Sequence, residues 1–215
     1  MFEDNSFGIV VLLLATAFLP MIAVTVTAFA KIAVVIFIVR NALGIQQLPP
    51  NIILYGLSLI LSVYVAMPVL NESFNRLEDT GFQYESFEEW REAGDIAVGP
   101  LKDFLIKHTD PKQLEFFTNS TTTIWGEGLA ATADRNSMSI LVPSFLLSEL
   151  TRAFEIGFLL YLPFMAIDII VTTLLVALGM MMVPPTTISI PFKLMLFVFL
   201  DGWTKLVHGL ILTYA

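Results

Sequence analysis

Cysteine is absent from all 215 residues, so disulfides, thiolate metal sites and a cysteine nucleophile are excluded. Histidine is nearly as scarce. His108 and His208 are the only two, and they lie in different segments, which leaves a histidine metal centre almost nothing to build from. Charge is also thin, at 14% of the chain against about 25% in an average soluble domain. The 11 basic residues form no patch, and the net charge of −8 offers nothing to nucleic acid. Catalytic signatures are missing too. Ser144 and Ser148 have no histidine nearby, and Leu200-Asp201-Gly202-Trp203 does not match the GxGD pattern of intramembrane aspartyl proteases. A non-enzymatic protein without cofactor or metal is expected.

Apolar residues are what the chain has in abundance. They make up 56% of it and concentrate in four blocks, roughly 7–39, 52–70, 154–183 and 188–214. Each reaches or exceeds the roughly 20 residues that a helix needs to cross hydrocarbon. The start, MFEDNSFG, is acidic where a secretory signal would be basic. Ala28-Phe29-Ala30 resembles a cleavage site, but Lys31 and a further apolar run follow at once, so this segment is expected to be retained.

Residues 71–139 differ in kind, with 13 acidic and 6 basic residues. Within them ESFEEWREAG and VGPLKDFLIKH place apolar residues at three- and four-residue spacing, as amphipathic helices do. Asp110-Pro111 and the pair Gly126 and Gly128 interrupt that pattern. Double prolines follow apolar helices at Pro49-Pro50 and Pro184-Pro185, and each predicts a rigid turn closing a helical hairpin. Further prolines at 20, 68, 143, 163 and 191 predict kinked or broken helices. Three parts result: an apolar hairpin over 1–70, an acidic helical insert over 71–139, and a second apolar hairpin over 140–215. Arg40, the main charge of the first loop, places that loop in the cytoplasm and the insert on the periplasmic side. The fold class is all-α, an integral membrane protein of helical hairpins. Irregular backbone at membrane depth requires protein or a water-filled cavity beside it, which predicts a larger assembly.

Charged side chains inside apolar helices are expensive and usually pair or face a cavity. Glu149, Arg152 and Glu155 stand at three-residue steps, so both carboxylates can reach the guanidinium. Asp168 sits alone in LPFMAIDII. On one continuous helix Lys193, Asp201, Lys205 and His208 would form a polar stripe, with Asp201 and Lys205 an (i, i+4) pair. Salt bridges that fix packing, an ion relay, and charges facing a pore are all compatible with these positions. Met180, Met181 and Met182 cannot all face one way on a helix, so at least one projects from a turn. Such a run reads either as an adaptable buried turn or, in a ring of identical subunits, as a soft apolar constriction that gates by dewetting.

Three stretches resemble the SctR/FliP family of type III secretion export-gate proteins: FAKIAVVIFIVRNALGIQQLPPN, LVPSFLLSELTRAFEIGFLLYLPFMAID and GMMMVPPTTISIPFKLMLFVFLDGWTKLVHGLI. The order and spacing of PPN, SEL, GFLLYLPF, GMMM, PFKL and LDGW carry the resemblance. RNALGIQQLPPN and SELTRAFEIGF are similar to the injectisome, YscR-like branch rather than the flagellar one. The resemblance implies a helical ring, pentameric in the family, joined by SctS, SctT and SctU-type subunits. That assembly sits in the bacterial inner membrane at the base of the secretion apparatus, and unfolded proteins pass through it. It further implies that Met180, Met181 and Met182 form a channel gasket. Glu149 and Arg152 would lie at subunit contacts or near the closed gate, and Lys31 would pair with a neighbouring acid. A secondary transporter or ion channel using Glu149, Asp168 and Asp201 as ion ligands is the alternative.

Overall fold

The computed structural model describes residues 17, 21–45, 47–80, 87–130 and 134–215. Among these, all regular structure is helical: α1 (Phe29–Ala42), α2 (Asn51–Thr80), α3 (Phe87–His108), α4 (Pro111–Ala130), α5 (Met138–Ala177), α6 (Pro185–Phe199) and α7 (Gly202–Leu212). The expected retention of the amino-terminal run rests on residues mostly outside those described. Helices α2 and α5 are long and apolar enough to cross a membrane, and α6 with α7 forms a pair bent by 61° that meets the same test if taken as one span. The chain is an all-α membrane protein.

It divides into two compact units, Met1–Ala30 with Ala66–Ser148 and Lys31–Val65 with Glu149–Ala215. The first holds the acidic helices. Asp110 accepts a hydrogen bond from the Lys112 N–H at 2.8 Å, and Pro111 begins α4 at a position where no amide proton is needed. The chain therefore turns where the sequence pattern stops. Apolar faces of α3 and α4 pack on the start of α5, burying Leu105, Leu114, Ile140, Leu141 and Phe145. Ser148 Oγ accepts the Asp110 N–H at 2.9 Å, and Ser73 Oγ donates to the Ala97 carbonyl at 2.9 Å.

The second unit contains both double-proline turns. Phe37 and Tyr55 stack across the first with ring centroids 4.9 Å apart, so α1 and the start of α2 run antiparallel. Arg40 Nη1 closes this turn by donating to the Asn51 side-chain oxygen and the Pro49 carbonyl, while its guanidinium lies 4.7 Å from the Phe37 ring centre. Across the second turn Phe164 faces Phe197, with centroids 6.4 Å apart. Each double proline therefore lies at a turn between two apolar helices.

One expectation is corrected and another narrowed. Pro68, Pro143, Pro163 and Pro191 do not break the helices that contain them, which continue through all four positions. The break in the last apolar block falls instead at Asp201, whose φ of 51° and ψ of 46° place it in the left-handed region. Two helices at 61° cannot share one continuous face, so the stripe from Lys193 to His208 does not form.

Close approach of α1 and α5 depends on Gly157. A Cβ there would lie 2.5 Å from Ile38 Cδ1 and 3.2 Å from its Cβ. Gly157→Ala is expected to cost about 1–3 kcal/mol through overpacking. Ile38→Ala should recover part of that loss in the same background, as read from thermal melts in detergent. An unshifted melting temperature for Gly157→Ala would rule out the tight contact.

Candidate functional site

The methionine turn begins where α5 ends. Gly179 has a φ of +71°, which L side chains rarely adopt. Its N–H donates to the Val176 carbonyl at 3.0 Å, and the Met180 N–H reaches the Leu175 carbonyl at 2.9 Å. This pattern is a Schellman end, which satisfies two terminal carbonyls of α5 and turns the chain sharply. Pro184 and Pro185 then start α6 with fixed φ values. Between these two stops the three methionines are held outside any helix, at 45%, 81% and 98% exposure for Met180, Met181 and Met182. The turn is thus an exposed apolar cluster clamped at both ends.

Five charged residues of the second unit form two groups, each built around a buried lysine. In the first, the fully buried Glu149 and Lys31 meet with Nζ 3.3 Å from Oε2. Arg152 Nη1 lies 3.7 Å from Glu149 Oε1 on the same helix. The Tyr214 hydroxyl donates to Glu149 Oε2, and the Tyr214 ring lies under Lys31 Nζ at 3.6 Å from its centre. The carboxylate is thus surrounded by two cations and a phenol, as a buried charge requires.

In the second group, Lys193 Nζ donates to Asp168 Oδ2 at 2.6 Å and to the Ala42 carbonyl at 3.0 Å. Ser189 Oγ donates to Asp168 Oδ1 at 2.7 Å. Ala42 is the last residue of α1, so the ammonium satisfies a helix-end carbonyl and meets the negative end of the dipole.

The predicted site residues therefore separate. Lys31, Glu149 and Arg152 come together, and so do Asp168 and Lys193. Glu155 is exposed and makes no ion pair among the described residues. Asp201 and Lys205 are both exposed, and no ion pair joins them among the described residues. Tyr214, Ser189 and Arg40 were not singled out as site residues. Ser189 stands four residues before Lys193, a spacing that could have revealed it. Tyr214 carried no comparable signal.

These features define a class: an all-helical membrane protein whose hairpins are held by buried ion pairs and present an apolar turn. The chain belongs to the FliP family, whose model matches residues 12–210. It is similar to a probable translocation protein of Sinorhizobium fredii, at 52% identity over 94% of this chain and 90% of that one. It is 45% identical to the Yop proteins translocation protein R of Yersinia pestis, over 98% of this chain and 97% of the other. A virulence protein, YscR, of Salmonella typhimurium is 40% identical over 99% and 98%. As a member of this family the chain is not an enzyme.

Proposed function

We propose that this chain is a core membrane subunit of a type III secretion export gate, forming the closable channel through which unfolded proteins leave across the bacterial inner membrane. Family membership and relatives named for translocation and virulence support this reading. The observation that carries it is the methionine turn, with Met182 at 98% exposure on a turn clamped by a Schellman end and two prolines. In a ring of such chains, pentameric and joined by SctS, SctT and SctU-type subunits, the turns of neighbouring copies meet at the axis. Met180, Met181 and Met182 are the gasket there. Flexible thioether side chains close against ions and water yet yield to a passing polypeptide. Residues 1–70 and 140–215 supply the hairpins, and 71–139 the periplasmic insert. The buried pairs Lys31–Glu149 and Asp168–Lys193 hold the hairpins rigid, and membrane lipid contacts the exposed apolar faces.

Replacing Met180, Met181 and Met182 together with alanine is expected to raise resting ion leakage across the cell membrane several-fold while the apparatus still assembles. Unchanged leakage and secretion in an assembled mutant would make the chain a scaffold whose seal lies elsewhere. A solute transporter would need Glu149, Asp168 and Asp201 free to ligand ions, and the first two carboxylates are already engaged by ammonium groups, which weighs against it.

A further inference from the structure

Beneath the α6–α7 bend the second unit contains an apolar cleft of about 370 Å³. Val39 of α1, Leu160 and Phe164 of α5, Phe197 of α6 and Gly209 of α7 contribute to its walls, and Lys205 is the one charged residue lining it among the described residues. We propose that this cleft binds one acyl chain of an anionic phospholipid, whose phosphate is taken by Lys205. The inference does not depend on the gasket.

Gly209 is the first observation. After proline, glycine is the least favourable residue for a helix interior, yet it stands inside α7, and a Cβ there would meet no atom within 4 Å. Packing therefore does not require glycine at this position. Its effect is to leave the cleft open where any side chain would enter it. Gly202 acts differently, because a Cβ there would run into the Phe197 ring. That contact seats Phe197, which meets Trp203 edge-on at 5.4 Å and forms one wall.

Charge is the second observation. Lys205 is exposed and makes no ion pair among the described residues, and Asp201, one turn earlier, does not reach it. Near the bend Val198, Phe199 and Leu212 are 72%, 79% and 57% exposed. A cation in such a surroundings lies along a lipid-facing surface and needs an anion at its tip. A lysine stem lying along apolar surface with its ammonium at the headgroup level meets a phosphate. The cleft is then left to the attached chain. A side chain of a second copy could also fill it, and the experiment separates the two occupants.

Full-length protein carrying Trp90→Phe and Trp125→Phe keeps Trp203 as its sole indole beside the cleft. It would be reconstituted in vesicles containing brominated phosphatidylglycerol or brominated phosphatidylcholine, and quenching of Trp203 followed. Half-maximal quenching is expected at two- to fivefold less brominated phosphatidylglycerol than phosphatidylcholine. Lys205→Gln should abolish that preference, and Gly209→Leu should weaken quenching by both lipids. Gly209→Ala, a smaller intrusion, should give an intermediate loss and covers the case in which the leucine variant misfolds. Equal quenching by the two lipids in the parent protein would overturn the assignment of Lys205 to an anionic headgroup. Unchanged quenching in folded Gly209→Leu, with altered cross-linking between copies, would assign the cleft to a neighbouring chain and overturn the proposal.

Discussion

Lys31→Met is expected to destabilise the protein by about 3–5 kcal/mol, among the largest effects of any single substitution in this chain. Lys31 and Glu149 are each 0% exposed, so removing the ammonium leaves an ionised carboxylate that water cannot reach. Arg152, at 3.7 Å and 37% side-chain exposure, is too distant and too hydrated to replace it. Glu149→Ala should cost a similar amount for the converse reason, because a buried ammonium would then rest only on the Tyr214 ring. The double variant Lys31→Met with Glu149→Leu should be far more stable than the sum of the two single losses, since it strands no charge. Tyr214→Phe removes one hydrogen bond and keeps the ring beneath Lys31, so about 1–2 kcal/mol is expected. SDS-titrated unfolding in mixed micelles would read all four. A Lys31→Met variant within about 0.5 kcal/mol of the parent would show that the pair does not hold α1, α5 and the carboxyl-terminal segment together.

How much of this was legible in sequence varied with the distance over which the physics acts. The turns could be read because proline acts locally: Pro49-Pro50 and Pro184-Pro185 set them whatever packs around them. Asp110 and Pro111 were equally local, and α3 ends at His108 just before them. The methionines were expected to project from a turn in part, and all three do, because Gly179 ends α5 before the run begins. Charges were read less well. Spacing put Glu149, Arg152 and Glu155 on one face, but only the first two pair, and the partner that buries Glu149 comes from Lys31, on another helix. Asp168 stood alone for the same reason, its cation lying across a turn. The stripe failed because its geometry assumed one helix, although Asp201-Gly202 is a turn dipeptide and aspartate tolerates the left-handed conformation it takes here. Prolines inside helices misled in the opposite direction. A missing amide proton removes one bond of the ladder, and packed apolar neighbours carry a helix through that loss.

Asp168→Ala tests whether rigidity around the methionine turn matters to the seal proposed for it. Lys193 is 4% exposed, and its ammonium meets the Asp168 carboxylate at 2.6 Å and the Ala42 carbonyl at 3.0 Å. Deleting the carboxylate leaves a buried cation on one neutral carbonyl, and it frees Ser189, which held the other oxygen. Hydrogen bonds to charged groups contribute about 1.5–3 kcal/mol each. The 34% exposure of the Asp168 side chain screens both bonds and places the expected loss below their combined value, at about 2–3 kcal/mol. Lys193→Met should cost less, because the stranded Asp168 can still reach water and keeps its Ser189 partner. Ser189→Ala, which removes one hydroxyl, should cost least, at about 1 kcal/mol. Both members of the pair lie on the helices that flank the methionine turn, Asp168 before it on α5 and Lys193 after it on α6. If the turn seals by being held rigidly, Asp168→Ala should raise resting ion leakage although all three methionines are intact. The increase should follow the order Asp168→Ala, Lys193→Met, Ser189→Ala. A hairpin that loses stability in that order while leakage stays at the parental level would separate folding from sealing, and would leave the methionine side chains alone responsible for closure.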